Sequence, residues 1–152
     1  MPKTEKKTVK KITYYEALGR RKSAHCRVRL YLTAKAVKKA KEELKPGDIL
    51  VNFEKADKYF PNKMAKQIYL EPFVLTNTVD RFVTVMTVSG SGKMSQLEAC
   101  RLGIARALQK VDLEFRPILK KAGFLTVDAR VRERRKVGMG GKSRRKRQSP
   151  KR

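Results

Sequence analysis

His25-Cys26-Arg27-Val28-Arg29-Leu30-Tyr31-Leu32 alternates polar with apolar side chains one residue at a time. Successive side chains of a strand leave on opposite faces, so this period of two sends Cys26, Val28, Leu30 and Leu32 into a core. His25, Arg27, Arg29 and Tyr31 remain on an outer face that is basic. A strand buried on one side needs partners, and residues 13–18 read as the strand before it. Gly19-Arg20-Arg21-Lys22-Ser23 then reads as the hairpin connection. Further along, residues 48–53 and 82–88 are strands, and the second is apolar throughout, which predicts a central position.

Helical patterns interrupt these strands. Residues 34–44 are rich in Lys and Ala and end at Lys45-Pro46-Gly47, and residues 62–69 form a second candidate. The clearest helix spans 95–110, where Ser95 and Glu98 have capping-box spacing and Leu97, Cys100, Ile104, Leu108 and Val111 line one face. A short helix over 116–121 follows. Strands and helices mixed without strict βαβ alternation predict an α+β fold, a small mixed sheet packed by helices on one face.

The chain has 152 residues and is 40% hydrophobic, enough for one modest core. Its 39 Lys and Arg outnumber 14 Asp and Glu, a formal net charge of +25. Self-repulsion on that scale implies a polyanionic partner, and a phosphate backbone fits because each contact releases condensed counterions. Charge divides the chain into three zones. Residues 1–12, with Lys3, Lys6, Lys7, Lys10 and Lys11, form a basic arm with too few apolar side chains to order alone. Residues 13–128 form the globular domain. Residues 129–152 are an extended basic tail, in which twelve Lys or Arg face the single acid Glu133.

Cys26 and Cys100 lack any CxxC spacing, which excludes a zinc ribbon and a disulfide framework and leaves two small buried apolar residues. No signal-peptide core and no membrane-length apolar run is found, so the protein is expected in the cytoplasm, with no membrane partner.

Val88-Ser89-Gly90-Ser91-Gly92-Lys93-Met94-Ser95 lies between a strand and a helix, where phosphate-binding loops occur. A P-loop needs Gly where Thr87 stands and Ser or Thr where Met94 stands, so the nucleotide-site reading fails. A tight strand-to-helix turn remains, whose amides can still meet an RNA phosphate. Catalysis is also poorly supplied. His25 is the only histidine, and Glu54, Asp57 and Glu98 read as solvated charges, so no enzyme activity, metal, cofactor or small-molecule substrate is expected.

Arg20, Arg21 and Lys22 at a hairpin tip, with Arg27 and Arg29 on the same strand pair, predict a compact basic patch on a rigid support. In the tail, Arg130, Arg132, Arg134, Arg135 and Lys136 precede Gly138, Gly140 and Gly141. Lys142, Arg144, Arg145, Lys146 and Arg147 follow, and the chain ends Ser149-Pro150-Lys151-Arg152. Arginine's planar fork suits phosphate oxygens, and glycines let backbone approach RNA closely. Composition alone also fits a free basic DNA-binding protein of nucleoid type, although no helix-turn-helix or basic-zipper arrangement is present.

Specific residues favour RNA. Tyr15 followed by Gly19-Arg20-Arg21-Lys22-Ser23-Ala24, Val51-Asn52 with Tyr59-Phe60, and residues 101–108 (Arg-Leu-Gly-Ile-Ala-Arg-Ala-Leu) resemble the small-subunit ribosomal protein nine family of bacterial type. So do residues 119–130 (Leu-Lys-Lys-Ala-Gly-Phe-Leu-Thr-Val-Asp-Ala-Arg), Glu133-Arg134-Arg135-Lys136 and the final Lys151-Arg152. Ser149 stands where the family usually carries an aromatic, and residues 34–47 are longer than its usual connection. The resemblance implies a domain like the second domain of ribosomal protein five, docked on the small-subunit head against rRNA and neighbouring head proteins. It further implies rRNA contacts from Arg20, Arg21, Lys22 and the tail, and it places Lys151 and Arg152 near the anticodon stem-loop of peptidyl-site tRNA.

Overall fold

The computed structural model describes residues 14–32, 44–139, 141, 143 and 144. Its elements are β1 (Tyr14–Arg21), β2 (Ala24–Tyr31), β3 (Ile49–Val51), β4 (Glu54–Lys55), α1 (Ala56–Tyr59), α2 (Lys63–Leu75), β5 (Val83–Ser89), α3 (Lys93–Val111) and α4 (Phe115–Lys121). The strands form one sheet in the order β1-β2-β5-β3-β4. β2 runs antiparallel to β1 and β5, and β3 runs parallel to β5. A mixed sheet with helices over one face is the α+β architecture the sequence indicates. The 34–44 helix and the basic arm lie largely or wholly outside the described residues.

The alternation in β2 holds over most of its length: Ala24, Cys26, Val28 and Leu30 are buried, while His25 and Arg27 are exposed. It reverses at the end, where Tyr31 is buried and Leu32 is exposed. The Tyr31 ring lies 5.4 Å from that of its register partner Tyr14, which covers it, and Leu32 follows the last residue of the strand.

The hairpin connection is shorter than the sequence suggests. β1 continues through Gly19, Arg20 and Arg21, leaving only Lys22 and Ser23 as the turn. Gly19 explains the extension, because it lets α3 lie directly on the strand. A Cβ on Gly19 would overlap Ala99 O and stand 2.6 Å from Gly103 N. A Cβ on Gly103 would stand 2.6 Å from Val28 Cγ2. The small side of α3 is therefore Ala99, Gly103 and Ala107, a stripe the apolar pattern did not single out. Leu97, Cys100, Ile104 and Leu108 are buried as expected. β1 is the outermost strand, and two of its carbonyls accept from α3 side chains. Arg106 NH1 donates to Leu18 O at 2.9 Å and Lys110 Nζ to Glu16 O at 2.6 Å.

α3 starts three residues earlier than its capping-box spacing implies. Gly90 (φ 79°) and Ser91 (φ 51°) swing the chain out of β5, Gly92 is the N-cap, and Ser95 is buried inside the first turns. α2 likewise outruns its expected end at residue 69. It passes Pro72, and the burial of Pro72 and Phe73 offsets the backbone hydrogen bond that proline removes.

β5 is central, as its apolar run predicts. β3 stops short beside it, and Asn52 (φ 49°) and Phe53 (φ 70°) make the tight turn into β4. Asn52 then extends the sheet with its side chain. Its Nδ2 donates to Val88 O at 3.0 Å and its Oδ1 accepts from Val88 N at 2.8 Å. Cys26 and Cys100 are both free and fully buried. A hydrogen bond to Cys26, together with burial, pushes the Cys100 thiol well up, so it stays protonated and inert.

Candidate nucleic-acid interface

The face of the sheet turned away from α3 is set by register. Glu16 pairs with Arg29, Leu18 with Arg27 and Arg20 with His25; on the other side of β2, Arg27 meets Thr87 and His25 meets Ser89. Leu18, Arg20, His25, Arg27, Thr87 and Ser89 are all exposed. His25 is held by a 2.5 Å contact between its Nε2 and Ser89 Oγ. At the hairpin end, Leu18, Arg20, Lys22 and His25 line a shallow open recess.

Two cations on this face differ in availability. Arg29 is half-buried, with Nε 2.6 Å from Glu16 Oε2 and its guanidinium 4.9 Å from the Tyr14 ring centre. The hydrogen bond it donates to Glu16 raises its pKa. Arg27 is exposed, and among the described residues no ion pair joins it, Arg20 or Lys22 to a carboxylate. Lys22 occupies a left-handed position (φ 53°) that glycine would take without strain.

Arg21 does not join the patch. Strand alternation turns it to the helix-covered face, where its side chain is 13% exposed. Its Nε lies 2.5 Å from Glu98 Oε2, its NH2 3.0 Å from Asp128 Oδ2, and its NH1 donates to Arg130 O at 3.2 Å. The predicted five-cation patch is therefore split by the sheet itself.

Glu98 and Asp57 are likewise structural rather than merely solvated. Asp57 accepts from Tyr69 OH at 2.8 Å and from Lys66 Nζ at 3.1 Å. These bonds hold its carboxyl below the usual range, while burial and the bond to Asp57 push the Tyr69 phenol up. Among the described residues no cluster of three His, Cys, Asp or Glu is placed to hold a metal, and no helix is long and apolar enough to cross a membrane.

The Gly-rich segment is a strand-to-helix turn closed from inside. Gln96 Nε2 donates to Gly90 O at 3.0 Å and accepts through Oε1 from Tyr59 OH at 2.9 Å. Lys93 Nζ sits 3.2 Å from the centre of the Tyr59 ring, so the one lysine of the turn is already engaged.

Beyond α4, residues 126–136 carry no helix or strand. Arg130, Arg132, Arg134, Arg135 and Lys136 are exposed along this stretch. Arg130 grips Asp128 through Nε at 3.0 Å and NH2 at 2.5 Å, and Arg144 pairs with Glu133 at 2.9 Å. Gly138 and Gly141 are left-handed (φ 77° and 73°), bending the chain where only glycine does so freely. Lys142, Arg145, Lys146, Arg147, Lys151 and Arg152 lie outside the described residues.

The described residues thus form an α+β body with one helix-packed face, one open face carrying Arg20 and Arg27, and an arginine-rich extension beyond α4. The chain belongs to the ribosomal protein S9/S16 family, whose model matches residues 19–152. It is 43% identical over 121 residues to small ribosomal subunit protein uS9 of Desulfovibrio desulfuricans, an alignment covering 80% of this chain and 84% of that relative.

Proposed function

We propose that this protein is a non-catalytic structural constituent of the small ribosomal subunit that docks on rRNA in the subunit head. The observation carrying the reading is the antiparallel ladder that sets Arg20 and Arg27 as diagonal neighbours on one open face, with Lys22 at its tip. A rigid ladder adds little ordering entropy to each phosphate contact. Arg29 contributes to the same surface, although Glu16 shares its charge. Neighbouring head proteins are the other expected partners, and the ribosome in the cytoplasm is the expected location.

The division of labour along the chain follows from its charge: residues 1–12 a basic arm, 13–128 the rRNA-binding body, 129–152 a tail that folds on RNA. Arg132, Arg134, Arg135, Lys136, Lys142, Arg144, Arg145, Lys146 and Arg147 are assigned to rRNA. Lys151 and Arg152 at the tip are assigned to the anticodon stem-loop of peptidyl-site tRNA. Deleting Lys151 and Arg152 is expected to leave assembly intact and to speed tRNA release from the peptidyl site, most visibly at low salt. Equal dissociation rates from mutant and parent ribosomes at low salt would remove the tRNA assignment. Co-sedimentation with ribosomal subunits supports the rRNA reading, and association with chromosomal DNA instead would overturn it.

A further inference from the structure

Arg21 is the best-anchored arginine among the described residues, and its partners come from both sides of the junction between body and tail. Each of its three guanidinium nitrogens has an acceptor: Glu98 on α3, the Asp128 carboxylate and the Arg130 carbonyl. Two of these acceptors belong to the segment that leaves the body. The segment is held a second time just upstream. Arg101, paired with Glu71 at 3.3 Å, lies 5.2 Å from the centre of the Phe124 ring. Arg21, Glu98, Arg101, Phe124, Asp128 and Arg130 line one recess on the body.

We infer that Arg21 is a positioning residue, a clasp that fixes the direction in which the basic tail leaves the body, and is not itself an RNA contact. The inference rests on the rRNA reading of the tail given above. A phosphate approaching Arg21 would find its nitrogens already occupied and its side chain largely covered. A tail rooted through Asp128 and Arg130, by contrast, starts from one fixed point. Its following arginines are then presented over a restricted volume, which raises their effective concentration at the RNA. The two carboxylates suit this role. They would repel phosphate on an RNA-binding surface, but here they are consumed by Arg21 and Arg130 at the joint.

Spin labels on Met94→Cys in the body and Val131→Cys beyond the clasp give the test, since the native cysteines are buried. Pulsed EPR of the full chain should show one narrow distance distribution, retained in Arg27→Gln, which lies outside the recess, and broadened in Arg21→Gln. Asp128→Asn, altered on the tail side and outside the core, should broaden it as well, which covers the case that Arg21→Gln fails to fold. Binding to purified small-subunit rRNA across a salt series supplies a second readout. Loss of a phosphate contact in Arg20→Gln should flatten the log–log salt slope by about 0.7–0.9. Arg21→Gln should leave the slope unchanged while affinity falls roughly three- to tenfold, because a freed root must be ordered on binding. An unchanged distance distribution in both clasp variants, or a slope lowered by Arg21→Gln as much as by Arg20→Gln, overturns the inference. If the parent protein fails to bind rRNA at all, the functional reading falls while the EPR result still decides the clasp.

Discussion

Arg20 and Arg21 are neighbours in the chain and lie on opposite faces of the same strand. On Arg20's face the side chains near the hairpin end are exposed and spaced by the ladder, with His25 opposite it and Arg27 and Leu18 nearby. On Arg21's face the strand packs against α3 so closely that Gly19 has no room for a Cβ. The contrast shows that identical charge has opposite uses depending on parity within a strand. A cation on the open face is available to phosphate, whereas one on the packed face has to be neutralised by the protein's own carboxylates.

Breaking the packed face should have the largest effect. Gly19→Val drives a branched side chain into the α3 backbone and is expected to destabilise the domain by about 3 kcal/mol or more. Denaturant unfolding measures this, and a loss under 1 kcal/mol would show that α3 can lift from the strand. Next comes Asn52→Ala, which removes both side-chain bonds to Val88 and leaves that backbone short of partners at the end of β3. A loss of about 1–3 kcal/mol is expected in the same assay. Lys22→Gly should act in the opposite direction, relieving the left-handed strain and stabilising by up to about 1 kcal/mol while weakening RNA binding. If stability and RNA affinity both fall, the lysine has a folding role that its geometry does not reveal.

Arg27→Gln sharpens the comparison further. Stability should stay within about 0.5 kcal/mol, as for an exposed surface position, while the salt slope of rRNA binding flattens. The smallest effect concerns pH. The bonds from Arg130, then the charge of Arg21, hold the Asp128 carboxyl well below the usual carboxylate range. A depressed folded-state pKa contributes fully above the unfolded value and is lost only as pH falls through the lowered one. The tail root should therefore hold an unchanged distance distribution from pH 8 to pH 5. Broadening within that window would place Asp128 outside the clasp.

Much of this arrangement was legible in the sequence because strand parity and helix periodicity leave strong marks. The alternation from Cys26 to Leu30, the central apolar β5 and the buried stripe of α3 all came from those periods. What escaped was anything that depends on where an element starts or stops. Reading residues 19–23 as a loop made Arg20, Arg21 and Lys22 equivalent, but extending β1 through Arg21 separates them by face, since one residue of strand reverses the direction of a side chain. Ser95 offered a capping pattern, yet the left-handed turn at Gly90 and Ser91 started the helix before it. The pairing of Arg21 with Glu98 and Asp128 had no local signal, because its partners lie 77 and 107 positions away along the chain. Two short-range spacings, Glu16 to Arg29 across the hairpin and Asp128 to Arg130, could have been found by matching acids to bases in register.

Arg106 and Lys110 reach from α3 to the carbonyls of Leu18 and Glu16 on the outermost strand. A bare edge of this kind is a template on which a second chain can add a strand, and assembly proteins made in quantity are especially exposed to that hazard before they find their site. With two acceptors already taken by bulky cations, an incoming strand meets fewer partners and a positive rim. Arg106 and Lys110 thus cap part of the edge and give it a positive charge that repels the equally basic edge of a second copy.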